Sequence, residues 1–283
     1  MTLIIGACTA LLPQHGEGLQ FINSLENSTW TALSSPYACM LDHPIVDFGH
    51  ARFQHIAGES VEFYLESNRS IFRAGQATLT SRAPTWRHQD SSIVLGEVET
   101  IARLRVITVA EKLATRMLSE LQHGMIPTFD AHPWFSEFES VRVGLSSAGF
   151  QQAFSQYQAC EKDLLKVNFG QVARSRILFK SGQTEFSAAG RKRLNDVVTY
   201  CSTDKSVTQV FVDGHADDIG MMKDNVTISK ERAQAVTDYL IQQGLNPAMI
   251  VIRYHGEKYP VASNDTAENR AKNRRTTVRL VRE

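Results

Sequence analysis

The stretch Val210-Phe-Val-Asp-Gly-His-Ala-Asp-Asp-Ile-Gly220, near the end of the 283-residue chain, decides the fold of the residues around it. Its apolar first half is typical of a buried strand, and the Gly-His-Ala-Asp that follows predicts a turn rich in backbone donors. A helix is expected to open near Ile228 and to carry Arg232 in its first turns. The paired arginines Arg274 and Arg275 precede a last strand. One carboxylate and several guanidiniums near such a turn suit a small ligand that carries both an ammonium and a carboxylate.

Strand-like and helix-like sequence patterns alternate along residues 166–283. Ser187 is predicted to cap a helix that runs to about Tyr200, and Gly244 is predicted to stop the helix that begins near Ile228. Strands are predicted at Arg176–Phe179, Val207–Val212, Met249–Tyr254 and Thr277–Val281. Two helices on one face of a small mixed sheet form an α/β sandwich.

Residues 18–165 show short alternating segments separated by Pro, Gly, Asn and Ser. Helices are expected at Ala110–His123, ended by Gly124, and at Phe150–Leu165, which is either the closing helix of the domain or a linker helix. Strands are predicted at Trp30–Leu33, Ala38–Leu41, His50–Phe53, Val61–Glu66, Ala77–Thr80 and Val141–Leu145. Such spacing predicts an antiparallel sandwich or barrel. The chain is therefore expected to be α+β, a mostly antiparallel β domain followed by an α/β sandwich.

The chain contains thirty Lys and Arg and thirty Asp and Glu, so its formal net charge is zero. The overall charge therefore does not point to nucleic acid as a partner. The apolar run Thr2–Leu12 is eleven residues long, which is too short to span a bilayer. It is similar to a signal-peptide core without the charged n-region, so residues 1–17 are interpreted as a leader. Ile5-Gly6-Ala7-Cys8 also resembles a lipobox, which leaves lipidation of Cys8 as an alternative, and an ordinary first strand is the third.

The sequence gives no support for catalysis. It contains no H-E-x-x-H, G-x-S-x-G or Walker A motif, and no G-x-G-x-x-G after a strand. His50 and His55 face opposite sides of an extended strand, which is poor geometry for a metal. No catalytic residue, metal site or cofactor is therefore predicted.

Four cysteines stand at Cys8, Cys39, Cys160 and Cys201, with no C-x-x-C pair, so a structural zinc site is not expected. If the leader is removed, three remain in an oxidising compartment. A disulfide between Cys39 and Cys160 is then attractive because the two bracket the N-terminal domain. The alternative is that all are free, buried, small apolar residues.

Three segments carry a family resemblance: Gly214–Gly220, Ile228–Val236 and Asn269–Thr276. Together they are similar to the signature of the OmpA C-terminal family, over roughly Ile177–Leu280. The resemblance implies non-covalent binding of peptidoglycan through the diaminopimelate of its stem peptide. Mapped onto this chain, it implies the following site residues: Asp217 for the ligand's ammonium, Arg232 for its carboxylate, Asn273 and Arg274 nearby, and Gly214 and His215 in the turn.

The chain departs from the family pattern at two positions, since Ala216 stands where the family has threonine and Ile228 where it has leucine. Loss of the hydroxyl at Ala216 weakens the binding prediction slightly. The competing structural interpretation is that Asp217 and Arg232 simply form a salt bridge with each other across the turn.

In the first domain, Cys39–Phe53, Ala83–Arg87 and Pro127–Phe129 resemble a family of periplasmic proteins of sodium-driven polar flagellar motors. That resemblance implies a non-enzymatic protein, periplasmic and on the outer-membrane side of the flagellar basal body. Its first domain would dock on the basal body, form the T ring with a MotX-like protein and help stator units assemble. Two alternatives stay open: a Pal-like or other OmpA-family wall anchor with no motor role, and an envelope enzyme such as a wall hydrolase.

Overall fold

The computed structural model describes residues 18–85, 87 and 91–283. The predicted leader, the lipidation alternative at Cys8 and Trp86 of the Ala83–Arg87 motif therefore lie outside the described residues. The chain divides into two compact units. The first comprises the described residues up to Ser34, Cys39–His55 and the described part of Ser60–Glu161. The second comprises Ser35–Ala38, Ile56–Glu59 and Lys162–Glu283.

The first unit is built on one ten-stranded sheet. Its strands are β1 (Leu19–Ile22), β2 (Thr31–Ser34), β3 (Ala38–Ile45), β4 (Gly49–Ile56), β5 (Val61–Ser67), β6 (Gly75–Arg82), β7 (Ile93–Thr100), β8 (Arg105–Val109), β9 (Ile126–Ala131) and β10 (Val141–Gly144). They follow the order β1-β10-β9-β6-β7-β8-β5-β4-β3-β2, in which β1 and β10 are parallel. The mostly antiparallel β domain is confirmed, but its strands form one sheet and not the two facing sheets of a sandwich.

The alternation in the sequence decides which side chains of this sheet are buried. Val61, Phe63 and Leu65 of β5 share one face and are all buried. Phe63 stacks on Phe129 of β9 with 5.5 Å between ring centroids, and its ring lies 4.8 Å from that of Phe53 in β4. The aromatic rings of three strands therefore meet in the core of the first unit.

Both helices predicted for the first unit are present. The first, α1 (Glu111–Gln122), buries Ala114, Met117, Leu118 and Leu121 at helical spacing. Gly124 follows it at φ 78°, in the left-handed conformation that ends a helix. The second, α2 (Phe150–Asp163), buries an aromatic stripe formed by Phe150, Phe154 and Tyr157.

The predicted disulfide is present between Cys39 of β3 and Cys160 of α2, with 5.9 Å between their Cα atoms. It ties a strand to the closing helix of the first unit across 121 positions of sequence. Cys201 is free and buried. Burial raises the pKa of its thiol to about 11, so this cysteine stays protonated at neutral pH.

The second unit places helices against a four-stranded mixed sheet. In chain order its elements are α3 (Phe169–Val172), β11 (Arg174–Leu178), α4 (Ala188–Thr203), β12 (Val207–Gly214), α5 (Met222–Gln242), a 3-10 helix (Pro247–Met249), β13 (Ile250–Tyr254), α6 (Ala267–Asn273) and β14 (Arg275–Arg282). The strand order is β11-β14-β12-β13, and only the β12–β13 pair is parallel. Apolar residues of α4 and α5, such as Val197 and Val236, pack against Val210, Val212 and Val278 of the sheet. The predicted α+β class is confirmed.

The predicted helix boundaries of the second unit are partly confirmed. Ser187 caps α4 as expected, accepting a hydrogen bond from the Gly190 N–H, and Gly244 follows α5 at φ 102°. The predicted start of α5 near Ile228 is wrong, because the helix begins at Met222. Its N-cap residue, Met221, makes no side-chain capping hydrogen bond, so the polar signal that usually marks a helix start is missing. Arg232 therefore lies in the middle of α5 and not in its first turns.

Four strands, β1, β7, β8 and β9, and two short helices, α3 and α6, were not predicted from the sequence. The helices have four and seven residues, so helical periodicity has little length over which to show. In β7 the first two apolar residues, Ile93 and Val94, are both exposed, so the strand lacks the simple alternation of β5.

A helix needs about 20 consecutive, mostly apolar residues to cross a bilayer. No helix in the part of the chain that the structure describes is long and apolar enough to do so.

Candidate functional site

The turn after β12 is held by backbone hydrogen bonds from two sides. His215 donates its N–H to the Arg275 carbonyl at 2.8 Å, and Ala216 donates to the Gly256 carbonyl at 2.8 Å. Gly214 is required here because a Cβ at this position would clash with the Ser229 carbonyl of α5. The sequence predicted a turn rich in backbone donors, and two of these donors, the N–H groups of His215 and Ala216, are used to fix the turn.

Asp217 follows this turn, and 7% of its surface is exposed. Its Oδ2 accepts a hydrogen bond from Arg274 Nη1 at 2.8 Å, and Arg274 Nε donates to the Phe179 carbonyl at 3.3 Å. Asp217 thus pairs with Arg274, and the described residues contain no ion pair between Asp217 and Arg232. A carboxylate and a guanidinium from opposite ends of the sequence motif are brought together.

Arg232 is almost fully buried, with 1% of its surface exposed. Its guanidinium donates to three carbonyl oxygens: Gln183 at 3.0 Å, His215 at 3.2 Å and Lys180 at 3.2 Å. Burial lowers the pKa of Arg232 to about 10, and the negative charge of Asp217 opposes that shift. The side chain therefore remains charged at neutral pH. It links α5 to the β12 turn and to the loop after β11.

Asn273 lies at the end of α6 and is fully buried. Its Oδ1 accepts from the N–H groups of Val261 at 2.8 Å and Ala262 at 3.2 Å. Its Nδ2 donates to the Ala262 carbonyl at 2.8 Å and to Asn264 Oδ1 at 2.7 Å. Both amide N–H groups and the carbonyl oxygen are thus engaged, so Asn273 holds the loop that precedes α6.

The imidazole of His215 is buried and stacks on His255 with 4.9 Å between ring centroids. Its Nδ1 has no hydrogen-bond partner among the residues that the structure describes. Burial, followed by the positive charge of Arg275, lowers the pKa of His215 to about 3. The ring is therefore neutral throughout the physiological range.

Asp213, one residue before Gly214, was not singled out from the sequence. It accepts hydrogen bonds from Arg253 Nε at 2.6 Å, from Arg253 Nη2 at 2.7 Å and from His255 Nε2 at 2.9 Å. Burial alone would raise the pKa of Asp213, but the hydrogen bonds and charges of Arg253 and His255 outweigh it and lower the pKa. Its position at the carboxyl end of a predicted strand was a usable signal, since functional groups gather at that edge of α/β sheets.

Two polar residues of α5 also support the turn and were missed. Asn225 is buried, and its Nδ2 donates to Glu257 Oε2 at 2.5 Å. Ser229 Oγ accepts from the Gly256 N–H at 3.0 Å. Asn225, Ser229 and Arg232 are spaced by four and three residues, so they share one helix face. That spacing would have been visible in the sequence if the helix had been predicted to start at Met222.

Comparison with known proteins gives the family. Residues 21–166, just over half of the 283, match the MotY N-terminal domain. The chain belongs to the MotY family. Residues 178–274 match the OmpA family, and that region contains every residue of the site predicted from the sequence: Gly214, His215, Asp217, Arg232, Asn273 and Arg274.

Individual curated proteins and solved structures are similar to all or part of this chain. The sodium-type flagellar protein MotY of Vibrio parahaemolyticus is 27% identical over 268 residues, which cover 94% of this chain and 91% of that protein. The peptidoglycan-associated lipoprotein of Pseudomonas putida is 35% identical over 71 residues, covering 25% of this chain and 43% of that protein. Among solved structures, the C-terminal domain of Helicobacter pylori MotB matches at 25% identity with a TM-score of 0.36, covering 38% of this chain and 85% of that one.

Proposed function

We propose that this MotY-family protein is a non-enzymatic structural component of a sodium-driven flagellar motor, located in the periplasm, whose second unit binds peptidoglycan non-covalently. The observation that carries the binding proposal is the position of Asp217. This scarcely exposed carboxylate follows a turn that two backbone hydrogen bonds hold in place, and it forms an ion pair with Arg274. It also interacts electrostatically with the buried guanidinium of Arg232. The relative from Pseudomonas putida is named for its association with peptidoglycan.

Binding of a zwitterion at Asp217 would proceed by exchange of charged partners. Diaminopimelate carries an ammonium and a carboxylate on one carbon, so the ammonium replaces Arg274 at Asp217 while the carboxylate receives the guanidinium of Arg274. A guanidinium offers a planar pair of donors that matches a carboxylate. The exchange keeps each charge paired, which avoids the cost of leaving a buried charge alone.

Arg232 is proposed to supply the second positive charge for the ligand's carboxylate. A guanidinium has five N–H donors, and its three hydrogen bonds to backbone carbonyls leave two for a ligand. Gly214 and His215 shape the turn that presents Asp217, and Asn273 keeps the neighbouring loop in place. The alanine at position 216 removes a hydroxyl from this turn but preserves its backbone hydrogen bond to Gly256.

The test is co-sedimentation of the purified protein with sacculi. Asp217→Asn keeps the shape and the hydrogen bond to Arg274 but removes the negative charge, and we expect it to weaken binding at least tenfold. Asp218→Asn is the matched control because Asp218 is the next residue, is exposed and has no ion-pair partner among the described residues. Equal binding by Asp217→Asn and the native protein would remove Asp217 from the site. Release of muropeptides by the native protein would instead support the wall-hydrolase alternative.

For the first unit, we propose docking on the flagellar basal body, formation of the T ring with a MotX-like protein and assistance to stator assembly. Membership of the MotY family and the flagellar name of the relative from Vibrio parahaemolyticus support this role. Deletion of the gene in a host with a sodium-driven polar flagellum should leave flagella assembled but cells poorly motile. Normal swimming of the deletion strain would refute the motor role and favour a general wall anchor.

A further inference from the structure

The sheet of the second unit has one face that is rich in arginine. Strand register places Arg174 of β11 directly opposite Arg279 of β14, and Arg279 opposite Phe211 of β12. The next row on the same face contains Arg176 of β11, and the row after it contains Arg275 of β14. The opposite face carries the apolar residues that pack against α4 and α5. We call the arginine-rich side the basic face.

The positive charges of the basic face are poorly compensated. Asp213 is the carboxylate of this face, and it is already engaged by Arg253 and His255. Arg174, Arg176 and Arg279 have no ion-pair partner among the described residues. Like charges directly opposite each other in a strand pair are destabilising, so the Arg174–Arg279 pair is maintained against a cost in stability.

Arg275 adds a buried positive charge to the more exposed arginines of the basic face. It is 5% exposed and donates to the Tyr259 carbonyl at 3.0 Å and the Asn273 carbonyl at 3.4 Å, and no carboxylate in the described part of the chain lies within ion-pair distance of it. Its pKa is lowered to about 10, first by burial and then by the charges of Arg176 and Arg174. The three guanidiniums therefore repel one another, and an anion between them would relieve that repulsion.

A cavity opens where these side chains meet. It has a volume of about 660 Å³ and lies along the edge strand β11, with Arg193 and the first turn of α4 on its other wall. Four arginines line it, namely Arg174, Arg176, Arg193 and Arg275, and no carboxylate of the residues that the structure describes does. A second cavity of about 360 Å³ shares Arg174 and Arg275 with the first, but it is also lined by the Asp213 carboxylate and is not part of the proposed site. The first cavity alone is larger than one phosphate or one carboxylate needs, and its guanidiniums can bind such groups with paired hydrogen bonds.

We propose that this arginine-lined cavity is a binding site for a multiply charged oxyanion, a ligand that carries two or more phosphate or carboxylate groups. The site is separate from the one at Asp217. The residues that line it do not include Asp217, Arg232 or Arg274, and none of them donates to or accepts from those three side chains. The proposal therefore stands whether or not the protein binds peptidoglycan.

Isothermal titration of the full chain with pyrophosphate and with citrate tests the site. The native protein should bind at least one of them saturably and with one-to-one stoichiometry, more weakly as salt is added. Arg174→Gln combined with Arg176→Gln should weaken that binding at least tenfold. Arg103→Gln combined with Arg116→Gln is the matched control, since it removes two exposed arginines of the first unit and changes the net charge equally.

Binding of pyrophosphate alone identifies a phosphorylated ligand, and binding of citrate alone identifies a polycarboxylate. The pocket double variant should melt at the same temperature as the native protein or higher when no anion is present, because it loses like-charge repulsion. If it does not fold, Arg193→Gln on the surface of α4 serves in its place, with an expected loss of at least threefold. Absence of saturable binding for both anions, or an equal loss in the control, overturns the proposal.

Discussion

Arg274 and Asp217 are 57 positions apart in the sequence, yet the Nη1 of one lies 2.8 Å from the Oδ2 of the other. Both side chains are largely shielded from water, with 15% and 9% of their side-chain surfaces exposed. An ion pair in such a place is costly to break on one side only, because the remaining charge stays buried without its partner. The pair therefore links the stability of the second unit to the same groups that are proposed to bind the ligand.

Removal of the Arg274 guanidinium should lower the free energy of unfolding more than removal of the negative charge of Asp217. Arg274→Gln leaves the buried Asp217 carboxylate unpaired, and we expect a loss of about 3–5 kcal/mol in the free energy of unfolding. Asp217→Asn keeps a hydrogen-bond acceptor and should cost about 1 kcal/mol. In the double variant the cost should fall below the sum of the two, since the residues interact directly.

The measurement is urea denaturation at pH 7 followed by far-UV circular dichroism. Tryptophan fluorescence supplies an internal control, because all three tryptophans precede residue 162 in the sequence and Trp30 and Trp134 lie in the first unit. The fluorescence transition should stay unchanged in these variants. Strictly additive effects of the two substitutions would contradict a direct interaction between Asp217 and Arg274.

Gly214→Ala should disrupt both stability and the proposed binding. A Cβ at this position would clash with the Ser229 carbonyl, which belongs to the backbone of α5 and cannot rotate away. The expected cost is about 1–3 kcal/mol, with loss of sacculus binding because the turn that carries Asp217 must shift. Gly170→Ala is the control, since its Cβ would approach only the end of the Asn168 side chain at 3.3 Å. A Gly214→Ala protein with native melting temperature would show that the turn adapts.

Sequence patterns located the turn, the capping Ser187 and the terminating Gly244, because each of these depends on a few adjacent residues. The state of Arg232 could not be predicted in this way. An arginine in a polar helical pattern suggests a solvated side chain, whereas here the carbonyls of Lys180, Gln183 and His215 surround it. Those acceptors are backbone carbonyls in loops. Because every residue has such a carbonyl, the sequence does not show which ones contact Arg232.

The first unit was harder to predict than the second. Its strands were found where apolar and polar residues alternate, as in β5, and missed where the pattern is broken, as in β7 with its Gly96 and exposed Ile93. The order of strands in a ten-stranded sheet depends on long-range pairing, such as the parallel pairing of β1 with β10. Short-range periodicity contains no information about such pairings.

Reduction of the Cys39–Cys160 disulfide should destabilise the first unit. Closing a loop across 121 positions restricts the unfolded chain, and the chain-entropy model gives a stabilisation of about 4–5 kcal/mol. The paired variant Cys39→Ala/Cys160→Ala should therefore lower the midpoint of the fluorescence-detected transition, and Cys201→Ala should leave it unchanged. Thiol titration of the native protein should detect neither Cys39 nor Cys160. Reaction of both with a thiol reagent before unfolding would contradict the disulfide.

The final prediction concerns acid stability and His43. This histidine is fully buried, stacks on Trp30 with 4.4 Å between ring centroids, and bonds the Thr29 carbonyl through Nδ1. Its Nε2 has no hydrogen-bond partner within the described ranges of the chain. Burial lowers its pKa to about 4 from 6.5. As the pH falls below about 6.5, the unfolded chain therefore takes up a proton that the folded protein does not accept until about pH 4. The contribution of His43 to the free energy of unfolding is fully present above pH 6.5. Between pH 6.5 and pH 4 it falls by about 1.4 kcal/mol per pH unit.

Asn at position 43 can donate to the same carbonyl and does not titrate, so His43→Asn should flatten the loss of stability between pH 6.5 and 4. The free energy of unfolding of the first unit, measured by tryptophan fluorescence across that range, provides the comparison. His123→Asn is the control, because His123 is exposed and its Nδ1 bonds the Ser119 carbonyl of its own helix. If the native protein and His43→Asn lose stability in parallel as the solution is acidified, then His43 protonates as readily in the folded state as in the unfolded state. In that case the stacked, buried imidazole is not what limits acid stability.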